Sequence, residues 1–440
     1  METERPTLNS RPHKFWWVLS GGFALLLLGI GWIYFFDDVE PPDISLYGIE
    51  FRQKSDGENP LETFARETAV LRQAMRDDWN KRYQENDQLS ALSEHFGGHR
   101  ELLNRFWGMV NTTPRPLSYP SDIEDYHTGC TLALQDAFSS AARHVTLLLL
   151  TGYKDDALSQ ALDMAAFARD LCAADITSVP WMVASTSQLR AYDGITAALN
   201  EMAVNESAIP NLINRLIETE VTSYDVAQML QRSCLAQSEC FRMWKDSGKV
   251  APGWLGKLSP LETRLFKPNE SSWEVLRLML PVAKGLDRGW KSGWRASEDL
   301  QLKATAMGHP APIWDKIRPN RPGRWLAANI QASDQHTVRR TLQSIAICRS
   351  IQLALALRVF DLKTGRLPES MEELVPTFLP SVSADPITGS PMKWNRQTGL
   401  IYSVGMNGSD DGGQFDLEKS KIGDKDWGIL YPWWNSHEGE

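Results

Sequence analysis

The chain has 440 residues, 42% hydrophobic and 23% charged, the balance of a folded protein of about two to three domains with a sizeable core. Its net charge of −9 argues against a general nucleic-acid binder. Seventeen tryptophans are spread from Trp16 to Trp434, a distribution that favours buried core contacts over one ligand-facing surface.

Residues Phe15 to Phe36 form an uncharged run of 22. As a helix rising about 1.5 Å per residue, the run spans the ~30 Å hydrocarbon core of a bilayer. Trp16, Trp17, Trp32 and Tyr34 sit near its ends, where aromatic rings favour the headgroup level. Arg5, Arg11 and Lys14 precede it, Asp37, Asp38, Glu40 and Asp43 follow it, and no Lys or Arg comes before Arg52. This asymmetry predicts a cytoplasmic tail over 1–14, one transmembrane helix over 15–36, and the rest outside the cytoplasm. The expected location is the inner (cell) membrane, with the bulk of the chain periplasmic. A cleaved signal peptide wants a shorter apolar stretch and a small-x-small site, which Ile33 to Asp37 does not offer.

Residues 37–57 are acidic, contain Pro41-Pro42, and predict an extended linker. From 58 to 334 the spacing predicts an irregular array of helical hairpins. Leu61 and Phe64 open an amphipathic segment through Val70, Leu71, Met75 and Trp79. Leu134, Phe138, Ala141, Val145 and Leu148 recur at helical spacing, and Gly152 supplies a stop. Asp155 and Asp156 then open a second helix, at the end where its dipole favours negative charge, with Ala161, Leu162 and Ala165 on one face. The unit is similar to half of a tetratricopeptide-type hairpin, but no second copy follows at a fixed period. Pro180, Pro210, Pro252, Pro260, Pro268 and Pro281 punctuate further helices, and the proline-rich stretch 307–324 predicts a connector.

The last unit, 335–440, predicts a small α+β module. Ile345, Ile351, Leu355, Val359 and Phe360 belong to a helix apolar nearly all round, which should be buried. Gly365 stops it, and Pro368 opens a short helix over the residues that follow. Asp385-Pro386-Ile387-Thr388-Gly389 is a turn. Pro391–Trp394 and Leu400–Val404 read as two antiparallel strands, and 405–413 as a Gly- and Asp-rich loop.

In this order, Gly365-Arg366-Leu367-Pro368-Glu369-Ser370, Asp385-Pro386-x-x-Gly389, Tyr402-Ser403-x-Gly405 and the closing loop resemble the globular part of type II secretion major pseudopilins. The resemblance covers roughly the last hundred residues. It implies a pseudopilin-like fold and calcium in the closing loop, with Asn407, Ser409, Asp410, Asp411, Asp416, Asp424 and Asp426 as candidate ligands. A solvated acidic turn is the other reading of the same residues. Residues 15–36 lack the glutamate that a pseudopilin carries in its hydrophobic helix, which argues against a fibre subunit.

Other clusters point to less. His95 and His99 are four apart, but Gly97-Gly98 between them predicts a loop instead of a metal-binding helix face. Asp125, His127 and Cys130 predict a polar helix start. Cys234 and Cys240 are the only close pair among five cysteines, and two readings stand: a small disulfide loop in an oxidising compartment, or two helix-packing thiols. No Gly-x-Ser-x-Gly, phosphate loop, dinucleotide fingerprint or His-Glu-x-x-His occurs. Two function classes follow. One is a membrane-anchored scaffold that binds an envelope protein and is related to secretion. The other is an extracytoplasmic hydrolase-type enzyme with its site in the helical domain.

Overall fold

The helical periodicities become helices, and their ends fall where the local chemistry puts them. The computed structural model describes residue 28 and residues 39–42, 59–74, 88–113, 129–174, 176–247, 264–308, 319–414 and 425–434. Among these residues the chain is mainly helical, with one small antiparallel sheet. The helices are α1 (Pro60–Glu67), α2 (Gln88–Thr112), α3 (Gly129–Leu150), α4 (Lys154–Ala173), α5 (Ser178–Glu201), α6 (Ile209–Thr219), α7 (Ser223–Ser247), α8 (Pro268–Leu286), α9 (Trp290–Gly308) and α10 (Arg321–Thr364).

Helices α3, α4 and α5 pack on one another. Leu134, Phe138, Ala141 and Val145 of α3 are buried, as are Ala161, Leu162 and Ala165 of α4. Gly152 makes the turn between them with φ +85°, a conformation that L side chains rarely adopt. Phe106 of α2 lies 5.4 Å from Phe138 and 5.9 Å from Phe167, ring centre to ring centre, so one aromatic cluster joins α2, α3 and α4.

Two expectations are corrected here. The backbone is helical straight through Gly97-Gly98, so His95 and His99 belong to α2 and not to a loop. Two glycines cost a helix about 2 kcal/mol relative to alanine, and the burial of Leu102, Leu103 and Phe106 further along α2 supplies more than that. Cys234 and Cys240 lie six residues apart on one continuous helix, α7, and both are free buried thiols. Six residues carry a helix about 9 Å along its axis and well past one turn, a span that a disulfide does not bridge.

The initial amphipathic segment breaks at Thr68 and resumes over 69–74, while Met75 and Trp79 lie outside the described residues. Pro180, Pro210 and Pro268 sit in first turns, whereas Pro281 lies inside α8 on its exposed side. Pro252 and Pro260 are outside the described residues, as are Asp125 and His127. Of the apolar run 15–36 only Leu28 is described, helical and 70% exposed. Among the described residues no helix is long and apolar enough to cross a membrane.

The 44-residue α10 is the common pillar. It packs on α8 and α9, then α5 and α6, and finally on the sheet. Ile345, Ile351, Leu355 and Phe360 are buried, as their all-round apolar pattern requires. Gly365 (φ +68°) ends the helix, its amide donating to Asp361 O at 2.7 Å. The expected short helix after Pro368 is a single 3-10 turn, Met371–Leu374, opened by a capping box of Ser370 and Glu373. Strands β1 (Lys393–Asn395) and β2 (Leu400–Ser403) pair antiparallel with Trp394 opposite Ile401. A third strand not foreseen from sequence, β3 (Trp427–Leu430), pairs on the other side of β2 with Ile401 opposite Ile429.

Helix α10 runs unbroken across residues 334 and 335, and side chains lock the module to the helices around it. The Arg349 guanidinium grips the Glu220 carboxylate, with Nε at 2.9 Å from Oε1 and Nη2 also on Oε1, and it donates from Nη1 to Ala384 O at 2.6 Å. Trp433 Nε1 donates to Met202 O at 3.3 Å.

Candidate functional site

The acidic closing loop is the site that the sequence singled out. It leaves β2 through Gly405 (φ +62°) and runs beneath the Lys425 carbonyl. Asp426 is 1% exposed, and its Oδ2 accepts the Asp411 and Gly413 amides at 3.1 and 2.7 Å. It works from inside the loop, as the group that holds the turn. Burial raises its pKa, and the charges of Asp411 and Asp410 act in the same direction.

Asp410 lies outside the turn. Its Oδ1 accepts the Gly412 amide and the Tyr402 hydroxyl, both at 3.0 Å, and Lys393 Nζ is 3.5 Å from Oδ2. The Gly412 amide, helped by Tyr402 and Lys393, holds this carboxyl below the usual carboxylate range. Asn407 Nδ2 donates to Asp411 Oδ2 at 2.7 Å, and its Oδ1 accepts the Ser409 amide at 2.9 Å. These are hard oxygen donors of the kind calcium takes, and the protein already uses several of them as turn acceptors. Among the described residues no three His, Cys, Asp or Glu side chains gather as a metal-holding group. Asp416 and Asp424 lie outside the described residues.

A second place was not legible in the sequence. Along α8, Trp273, Arg277, Leu280, Pro281 and Lys284 follow helical spacing and line an open cleft of about 660 Å³ together with Glu270, Glu274, Leu276, Pro319, Asn320 and Arg324. Its base is built by Asn320, a buried residue in the left-handed region (φ +50°). The Asn320 amide oxygen accepts the Lys267 amide at 3.0 Å, and its Nδ2 donates to Ser271 Oγ at 3.1 Å, pinning the start of α10 to the start of α8. One rim is the segment 39–42, where Asn269 Nδ2 donates to Val39 O and Trp273 Nε1 to Glu40 O, each at 2.9 Å.

Compared with protein-family models, curated proteins and solved structures, the chain matches none. Its chemistry therefore rests on these geometries alone.

Two buried clusters remain. Cys348, Thr219, Tyr192 and Gln352 form a chain of contacts at the α5–α6–α10 junction, with Tyr192 Oη 2.9 Å from Thr219 Oγ1 and Gln352 Nε2 3.4 Å from Cys348 Sγ. Burial pushes the Cys348 thiol up to about 12, which keeps it protonated and inert as a nucleophile. Between α7 and α10, Gln237 Nε2 donates to Asp334 Oδ2 at 3.4 Å, while Asp334 Oδ1, Gln237 Oε1 and the Gln331 amide have no partner among the described residues. Burial pushes the Asp334 carboxyl up to about 6. The group is sealed in the core, 1% exposed.

Proposed function

We propose that the protein is a membrane-anchored extracytoplasmic scaffold of the bacterial envelope, held in the inner membrane by residues 15–36 and acting by binding. The observation that carries this reading is the strap at the cleft. Val39 and Glu40, three and four residues beyond the apolar run, are hydrogen-bonded to α8, which supports a helical body held close to its tether. A second feature supports it: α10 passes through both units, and Arg349 bonds to both Glu220 and Ala384, so the C-terminal module is presented in a fixed orientation. A fixed surface beside the membrane raises the effective concentration of envelope partners. The pseudopilin-like order of the module points to a protein partner of secretion-type machinery. On the same reading, calcium firms the loop from Asn407 to Asp426.

A photo-crosslinking amino acid at Arg396, exposed in the β1–β2 turn, tests this in cells. One or a few discrete envelope proteins should be trapped there, and not from the exposed Glu206 near α6. No specific adduct from the module, together with hydrolytic activity that depends on one cleft residue, would replace the scaffold with an enzyme.

A further inference from the structure

The cleft along α8 carries more than the scaffold reading uses. Resting on the anchor proposed above, we infer that it binds an anionic glycerophospholipid drawn from the adjoining bilayer. Position comes first. Val39 forms its rim and follows Phe36 by three residues, which allows about 10 Å of extended chain between the end of the apolar run and the cleft. On that anchor, the cleft lies close to the membrane surface.

The lining then selects the ligand. Leu276, Leu280 and Pro281 give an apolar wall, and Trp273 is 42% exposed at the end nearest the strap. An indole with its ring in the cleft and its N–H on a backbone carbonyl suits the boundary between acyl chain and headgroup. The charges are unequal. Glu274 is engaged by Arg277 at 2.7 Å, and Glu270 by Lys267 at 2.8 Å. Lys284 is exposed and has no ion-pair partner among the described residues, and Arg324, whose Nη2 donates to Pro319 O at 2.9 Å, stands across the cleft from α8. Two cations beside an apolar wall complement a phosphate with an acyl chain attached. A neutral peptide would leave the lysine unanswered. The volume of about 660 Å³ lies within the range of small-ligand sites.

Native mass spectrometry of the full-length protein, purified in mild detergent and titrated with dioleoylphosphatidylglycerol or dioleoylphosphatidylcholine, tests the inference. The wild type should retain one phosphatidylglycerol at concentrations where phosphatidylcholine is lost. Lys284→Glu with Arg324→Glu should weaken that retention about tenfold or more, and Leu280→Asp should weaken retention of both lipids. Arg100→Glu, exposed on α2, should change neither. Equal phosphatidylglycerol retention by cleft variants that melt like the wild type would overturn the proposal. Carbonate extraction of the same membranes separates the two claims. Release of the protein would sink the anchor and the lipid site with it, whereas an integral protein with indifferent cleft variants loses the lipid site alone.

Discussion

The Asp385 carboxylate is bonded to the backbone of Val404, nineteen residues on: Oδ2 accepts the Val404 amide at 2.9 Å, and Oδ1 accepts the Ile387 and Thr388 amides at 2.7 and 3.0 Å. One side chain, 2% exposed, thus closes the Asp-Pro turn and fastens it to the end of β2. Replacing Asp385 with Ala leaves three amides without this acceptor. Hydrogen bonds to a charged group contribute about 1.5–3 kcal/mol each, and not additively, so Asp385→Ala should destabilise the module by about 3 kcal/mol or more. Denaturant unfolding followed through the C-terminal tryptophans reads the loss. A change under about 0.5 kcal/mol would show that the turn is held by other contacts.

Two glycines of the closing loop separate close approach from backbone conformation. A Cβ on Gly405 (φ +62°) would lie 1.8 Å from the Lys425 carbonyl oxygen, while one on Gly408 (φ +66°) meets nothing within 4 Å. Gly408→Ala should cost about 1–2 kcal/mol for the left-handed conformation alone. Gly405→Ala adds a clash with backbone and should cost clearly more. Equal melting of the two variants would contradict the packing of Lys425 over the turn.

The buried Asp334 gives a pH dependence of known sign. Burial raises its folded pKa from the ordinary aspartate value of 3.8 to about 6, so the fold prefers the protonated acid. Its favourable contribution is fully present below the unfolded value and is lost as pH rises through about 6. Asp334→Asn should match the wild type near pH 4 and exceed its stability by about 3 kcal/mol above pH 7. Paired unfolding curves across that range check this, and a difference that does not grow with pH would refute it.

For calcium, the full chain should melt at a higher temperature with the ion than with a chelator, and Asp410→Ala plus Asp411→Ala should abolish the difference. Binding to the folded state alone adds roughly 2.7 kcal/mol at a hundredfold excess over Kd. No shift in the unmutated protein would leave Asp410, Asp411 and Asp426 as turn acceptors only.

Local signals were legible in the sequence, and distant ones were not. The apolar period of α3 and α4, the Gly152 turn and the β1–β2 hairpin depend on neighbouring residues and are present, with β1 beginning two residues later than its spacing placed it. The four residues of β3 form a strand only because β2 offers a free edge, a contact far away in sequence. Helix α2 passes through Gly97-Gly98 because burial further along outweighs local propensity. The cleft joins residues near 39, 270–284 and 319–324, and no single stretch announces it. Asp426 read as a loop acid, and only its burial shows that it faces inward.

The central claim is that one helix anchors the chain and leaves its body outside the cytoplasm. Protease treatment of intact spheroplasts, followed with an epitope at each end and N-terminal sequencing of the untreated protein, tests it most directly. The account predicts that the C-terminal epitope is destroyed, that a membrane-embedded fragment ending shortly after Asp37 survives, and that the untreated protein keeps its N-terminus. A protected C-terminal epitope would contradict the topology, and a mature N-terminus near Asp37 would contradict the anchor.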